Sequence, residues 1–196
     1  MGLFTVDDAY AAADRASTLK GRAFDSAINE DRKIASGRIK FDVFLSHSSS
    51  DKRFVFGARR LLEEQGLTAY VDWIDDPQLD RTQVSTATAS TIRTRLKQSD
   101  SLLYATSTNS SSSKWMPWEI GYFDGLRGDR IAIFPLLRTA SATFVGQEYL
   151  GLYPYIEKIS DFSERTTRLG MAKTANMYVP LLSFVKGKAE LRTGSR

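Results

Sequence analysis

The chain has 196 residues, enough for one domain of ordinary size with short terminal additions. Its 42% hydrophobic and 11% aromatic residues supply a proper core, and the absence of cysteine excludes a disulfide scaffold, a thiolate zinc site and a cysteine nucleophile. The net charge of +4 raises nucleic acid as a partner, but 27 Lys and Arg interleave with 23 acids without forming a basic stripe, so none is expected.

Asp7, Asp8 and Asp14 stand where a secretory signal needs an apolar stretch, and Gly2 lacks the Ser or Thr at position 6 that myristoylation wants. The longest apolar run, residues 131–137, is too short for a bilayer and contains Pro135. A cytoplasmic protein with no membrane partner is expected. Residues 5–36 have Ala11, Ala12, Ala13, Ala16, Leu19, Ala23, Phe24 and Ala27 at helical spacing, with Gly21 as a possible break and Gly37 as the stop. So weak an apolar face predicts a helix laid over the domain or a partner, outside the core.

From Phe41 the pattern becomes strand–helix alternation. Residues 41–45 read as a buried strand, and Phe54, Val55, Ala58, Leu61 and Leu62 line one face of a helix stopped by Gly66. Residues 68–71 form a second strand. An acid-rich loop, 72–81, reads as a mobile, solvated lid before a helix with the stripe Val84, Thr88, Ile92 and Leu96. Residues 101–106 are a third strand, 107–113 a polar loop, and Pro117 sits in the first turn of a helix reaching Arg127. Residues 130–137 are a fourth strand. Beyond Thr139 the signal fades: 155–159 reads as an edge strand, 175–185 as a final helix, and the tail from Lys186 as polar and frayed. The alternation implies a doubly wound, flavodoxin-like parallel sheet with helices on both faces.

Ligands of such sheets bind beyond the carboxyl ends of the strands. That selects the turn after Leu45, the loops after Val71 and Thr106, and the loop after Leu137. The turn SHSSSD (46–51) leads into a helix N-terminus, which suits pyrophosphate; Ser50 or Asp51 would also simply cap that helix. The acids after Val71 could hold Mg2+ as in response regulators, but strand one ends in Leu45-Ser46 and strand three in Ala105-Thr106, where a phosphoacceptor site needs acids. Trp115 and Glu119 are four residues apart and share a face if the helix includes Trp115, and the helix dipole favours ionised Glu119. An aromatic face beside a carboxylate suits a cationic heteroaromatic ring on a sugar; it equally suits Trp115 and Trp118 as core anchors. His47, the only histidine, lacks a partnered nucleophile and reads as structural or ligand-orienting. No metal-ligand spacing, Walker motif or Gly-rich dinucleotide fingerprint occurs.

Taken together, FDVFLSHSSSDK (41–52), GLTAYVDW (66–73), IDDPQLDRTQ (74–83) and SDSLLYATSTNSSSSKWMPWEIGYF (99–123) resemble, in order, the first strand and turn, second strand, BB loop, and third strand and following helix of bacterial TIR (Toll/interleukin-1 receptor) domains. The resemblance is convincing over residues 40–137 and thins towards 160. It implies residues 1–38 as a helical extension, 39–160 as the TIR domain, and 161–196 as a C-terminal helix and tail. It further implies NAD+ as a substrate rather than a cofactor, cleaved at the nicotinamide–ribose bond to nicotinamide and ADP-ribose or a cyclised relative. Glu119 takes the catalytic role, with Ser46, His47, Trp73 and Trp115 lining the pocket and no metal. TIR–TIR self-association, bacterial anti-phage signalling and a separate nucleotide-sensing effector are also implied. A non-catalytic TIR scaffold and a nucleoside deoxyribosyltransferase-like enzyme remain alternatives.

Overall fold

A computed structural model describes residues 3–18, 24–35, 37–107, 109–137, 147–161, 166–174, 177–188 and 192–193. The apolar runs and amphipathic stretches alternate as β1 (Phe4–Thr5), α1 (Val6–Thr18), α2 (Phe24–Ala35), β2 (Phe41–Ser46), α3 (Lys52–Glu63), β3 (Ala69–Tyr70), α4 (Asp72–Asp75), α5 (Thr86–Lys97), β4 (Ser99–Thr106), α6 (Met116–Arg127) and β5 (Ile131–Leu137). These strands make one sheet in the order β1-β5-β4-β2-β3. Every pair is parallel, with Ser46 opposite Tyr104 and Thr106 opposite Pro135 at the carboxyl end. The expected doubly wound parallel fold stands.

Each sheet face has its own core. Val43, Leu45, Val71, Leu103, Ala105, Ala132 and Phe134 face α1, α2 and α3, whereas Phe44, Tyr70, Leu102, Tyr104, Ile131 and Ile133 face α5 and α6. The amides of Asp42 and Val43 both donate to the carbonyl of Thr68, at 3.0 Å each. After that irregularity, side chains alternate up to Ser46, which turns to the α5–α6 side.

The N-terminal segment corrects the expectation of a helix outside the core. Phe4 and Thr5 add an edge strand to the sheet, and Ala9, Ala12 and Ala13 are buried. Small side chains let α1 approach α3 so closely that a Cβ on Gly57 would lie 1.8 Å from the carbonyl oxygen of Ala9. A poor apolar stripe here marks backbone proximity. The anticipated break at Gly21 lies outside the described residues; Gly37 follows α2 with a φ of +86°.

Three further expectations need correction. Val84 is 74% exposed and precedes α5, whose buried stripe is Thr88, Ile92 and Leu96. Residues 175–185 do not form one helix: β8 (Met177–Pro180) comes first, and Pro180 confines the helix to α7 (Leu181–Val185). With β6 (Glu157–Asp161), β7 (Thr166–Thr174) and β9 (Arg192–Thr193) it forms a second, antiparallel sheet, which sequence reading missed apart from its edge strand near 155–159. Of the tail, Lys186 pairs with Asp42 and Arg192–Thr193 pair with β8; 189–191 and 194–196 lie outside the described residues.

Candidate active site

Helix α6 begins where Pro117 pre-sets the backbone, and the amide of Glu119 donates to the carbonyl of Trp115 at 2.8 Å. The Trp-x-x-x-Glu spacing is therefore the first α-helical hydrogen bond of α6. It places Glu119 in the first turn, where the dipole favours a carboxylate. The side chain runs inward beneath the carboxyl ends of β2 and β4 and is wholly buried.

Both its oxygens are engaged. Ser46 Oγ, on the last residue of β2, donates to Oε2 at 2.6 Å, and the Arg81 guanidinium donates to Oε1. The same guanidinium donates to Asp72 Oδ2 at 2.6 Å, so one cation bridges two buried carboxylates. Asp72 Oδ1 accepts from the Trp73 amide at 2.7 Å and lies 3.2 Å from His47 Nε2, out of line for a hydrogen bond. His47 Nδ1 donates to the carbonyl of Leu45 at 2.7 Å, which fixes the ring and leaves Nε2 towards Asp72. Burial works against the Asp72 carboxylate, but His47 and Arg81 outweigh it and hold the group well below the usual range. Burial likewise works against the Arg81 cation, yet Glu119 and then Asp72 raise its proton affinity. Nearby, burial pushes up the Tyr104 phenol, helped by Tyr149 and the charge of Glu119.

The acid-rich segment after β3 is therefore no solvated lid at its base. Asp72 and Asp76 are buried, and so is the side chain of Asp75. Asp76 accepts from Tyr70 at 2.9 Å and from Arg95 at 2.7 Å. Only the stretch from Pro77 to Ala87 is largely exposed, and Arg81 reaches inward from it, its carbonyl accepting from Trp115 Nε1 at 2.9 Å. The expected caps of α3 are also absent: Asp51 makes no side-chain cap and instead holds Ser107 and Asn109 of the loop before α6.

Of the residues singled out in the sequence, Ser46 and Glu119 touch, His47 joins them through Asp72 and Arg81, and Trp115 is buried beside Arg81. Trp73 is not brought to this cluster by its ring, which packs against the core of the opposite sheet face with Lys52 5.9 Å from its centroid. Trp115 meets Trp118 edge-on at 5.5 Å, and Trp118 stacks on Tyr122. The fourth crevice loop, 138–146, lies outside the described residues. Sequence reading missed the bridging role of Arg81 and the burial of Asp72. The signal available for Asp72 was an acid directly after a fully apolar strand end. Arg81 had none, because its reach depends on how the loop folds back. Among the described residues no group of His, Asp or Glu could hold a metal ion, and no helix is long and apolar enough to cross a membrane.

Chemically, the cluster is a pair of buried carboxylates bridged by one guanidinium. A family model for the TIR domain matches residues 43–167. The chain is 44% identical over 140 residues to the probable 3′ cyclic ADP-D-ribose synthase ThsB′ of Bacillus cereus (strain MSX-D12), covering 71% of this chain and 72% of that protein. It is 30% identical over 96 residues to the putative cyclic ADP-D-ribose synthase TIR2 of Cytobacillus dafuensis, covering 46% of this chain and 25% of that protein. With the parallel sheet and the Trp-x-x-x-Glu helix in place, this chain belongs to the TIR domain family.

Proposed function

We propose that the protein cleaves the nicotinamide–ribose bond of NAD+ and closes the ribosyl product into a cyclic ADP-ribose, with Glu119 as its catalytic carboxylate. The observation that carries this reading is a buried glutamate, at the carboxyl ends of parallel strands, whose own pairing partner is a cation. The similarity to ThsB′ supports the same chemistry.

The departing group of NAD+ is a pyridinium that leaves as neutral nicotinamide, so no acid is needed to protonate it, unlike the oxygen leaving group of an ordinary glycoside. The barrier lies in positive charge growing on the ribose. A carboxylate about 4 Å away at an effective dielectric near 20 is worth roughly 4 kcal/mol to that charge, or about three decades in rate. The hydroxyl of Ser46 holds the carboxylate in one rotamer, so little reorganisation is needed as the charge develops. Attack by a hydroxyl of the same molecule, with loss of its proton, gives the cyclic product; attack by water gives ADP-ribose. Exclusion of water favours the first.

Glu119→Gln is expected to lower NAD+ consumption about a thousandfold while the protein stays folded, as read by mass spectrometry of products and by thermal melting. Normal turnover by that variant would refute the assignment. Self-association of TIR surfaces, and a separate effector that senses the nucleotide product in bacterial immunity, belong to the same proposal. One observation favours a non-catalytic scaffold: in the closed arrangement Glu119 does not face solvent. The same assay, with and without an activating partner, separates the two.

A further inference from the structure

The cation on Glu119 is not a passive neighbour. Its side chain is 9% exposed, yet it hangs from a segment whose residues 82–87 are all exposed. Its two side-chain anchors are carboxylates on different helices, Asp72 of α4 and Glu119 of α6. Taking Arg81 away leaves Glu119, among the described residues, with one hydroxyl donor and no paired cation in a buried site, which is costly unless another cation enters. Asp72 is less dependent on it, because the Trp73 amide and the His47 ring remain beside it.

We propose that Arg81 is an internal competitor for the substrate's cation, so that binding is an exchange: the guanidinium leaves Glu119 as the positively charged ring of an oxidised nicotinamide nucleotide arrives. This rests on the reading of Glu119 given above and adds a built-in competitor to it. The exchange is neutral in charge only when the incoming group is cationic. A reduced nicotinamide nucleotide, uncharged at the ring, would have to strip Arg81 and leave Glu119 unpaired. Arg81 thus weakens binding of any nucleotide that must displace it, while the charge of Glu119 is what favours the oxidised ring. Arg81 also keeps the carboxylate paired and dry when no ligand is bound, which is why the site can be closed and still be a nucleotide site.

The test replaces the competitor by an uncharged side chain of similar length. Arg81→Met is expected to lower KM for NAD+ at least tenfold. Calorimetry should show at least tenfold tighter binding of the non-cleavable carbocyclic analogue of NAD+, and that gain should be lost when Arg81→Met is made in the Glu119→Gln protein. Weaker binding or a higher KM would show that Arg81 holds the substrate and would overturn the proposal. An equal gain with and without the Glu119 carboxylate would also overturn it, because the residue would then be a steric cover only. Should Arg81→Met fail to fold, the wild-type protein decides by nuclear magnetic resonance. The Arg81 Nη2–H signal, from the nitrogen that donates to Glu119, should lose its protection from solvent exchange when the carbocyclic analogue saturates the site, and retained protection would sink the idea. The parent reading fails separately, through normal turnover by Glu119→Gln, whatever Arg81→Met does.

Discussion

Two buried ion-pair networks flank β3 and α4, and they are built for different ends. On the α3 side Arg59, fully buried, is held by Glu63 at 2.9 Å and by Asp75 at 2.9 Å, while Arg60 pairs with Glu63 and with Asp31 of α2, and Arg32 donates to the Trp73 carbonyl at 3.1 Å. Each arginine there rises from a regular helix. On the α6 side the cation, Arg81, rises from an exposed loop. Burial of charge is common to both, so burial alone does not mark a site. What differs is how much structure must move to unmake the pair: two packed helices in one case, one loop in the other.

The largest effect should come from breaking the first network. Arg59→Met leaves Asp75 and Glu63 without their partner and is expected to cost about 3–5 kcal/mol in chemical denaturation, with KM for NAD+ unchanged in the folded fraction. A changed KM would mean the two networks are coupled. The shape of the same helical side is tested by Gly57→Ala, whose new methyl meets the Ala9 carbonyl; overpacking of this kind costs about 1–3 kcal/mol and should loosen α1 first, seen as faster amide exchange there.

Acid separates the two networks by sign. Asp72 titrates below its ordinary 3.8 in the folded protein because of His47 and Arg81, so its stabilising contribution is full above that value and is lost as pH falls through the depressed one. Asp75 is raised, burial outweighing Arg59, so its ionised form costs stability near neutrality and acidification relieves that cost. Asp72→Asn is therefore expected to destabilise at pH 7 and to flatten the loss of stability below about pH 4, measured by thermal melting against pH; an unchanged acid limb would remove Asp72 from the account. The smallest effect should be at the exposed pair of Arg53 with Asp14, 2.6 Å apart with both side chains more than half exposed. Asp14→Asn should change stability by about 0–1 kcal/mol.

The comparison also explains what could be read before any coordinates. Strands β2 to β5 and helices α3, α5 and α6 were legible because they read as short apolar runs or as stripes at 3.6-residue spacing, punctuated by Gly66 and Pro117. Ser46 and Glu119 were legible because one ends a strand and the other opens a helix, and the fold carries both points to the same crevice. The acids from Asp72 to Asp76 were misread as solvated, since a carboxylate's burial depends on whether an arginine far along the chain reaches it. The second sheet was missed because its strands show no clean alternation: in β8 the consecutive residues Tyr178, Val179 and Pro180 are all buried.

By itself, the order of residues determined the layered architecture and the segment that bears the candidate carboxylate, because periodicity and chain punctuation are local properties. Tertiary structure alone decided that Glu119 is closed off, that Arg81 bridges it to Asp72, and that the alanine-rich helix belongs to the core. Those outcomes depend on a contact between residues 38 positions apart, Arg81 and Glu119, or on how closely the backbones of Ala9 and Gly57 approach. Electrostatic pairing and steric fit act through space, and no spacing along the chain encodes them.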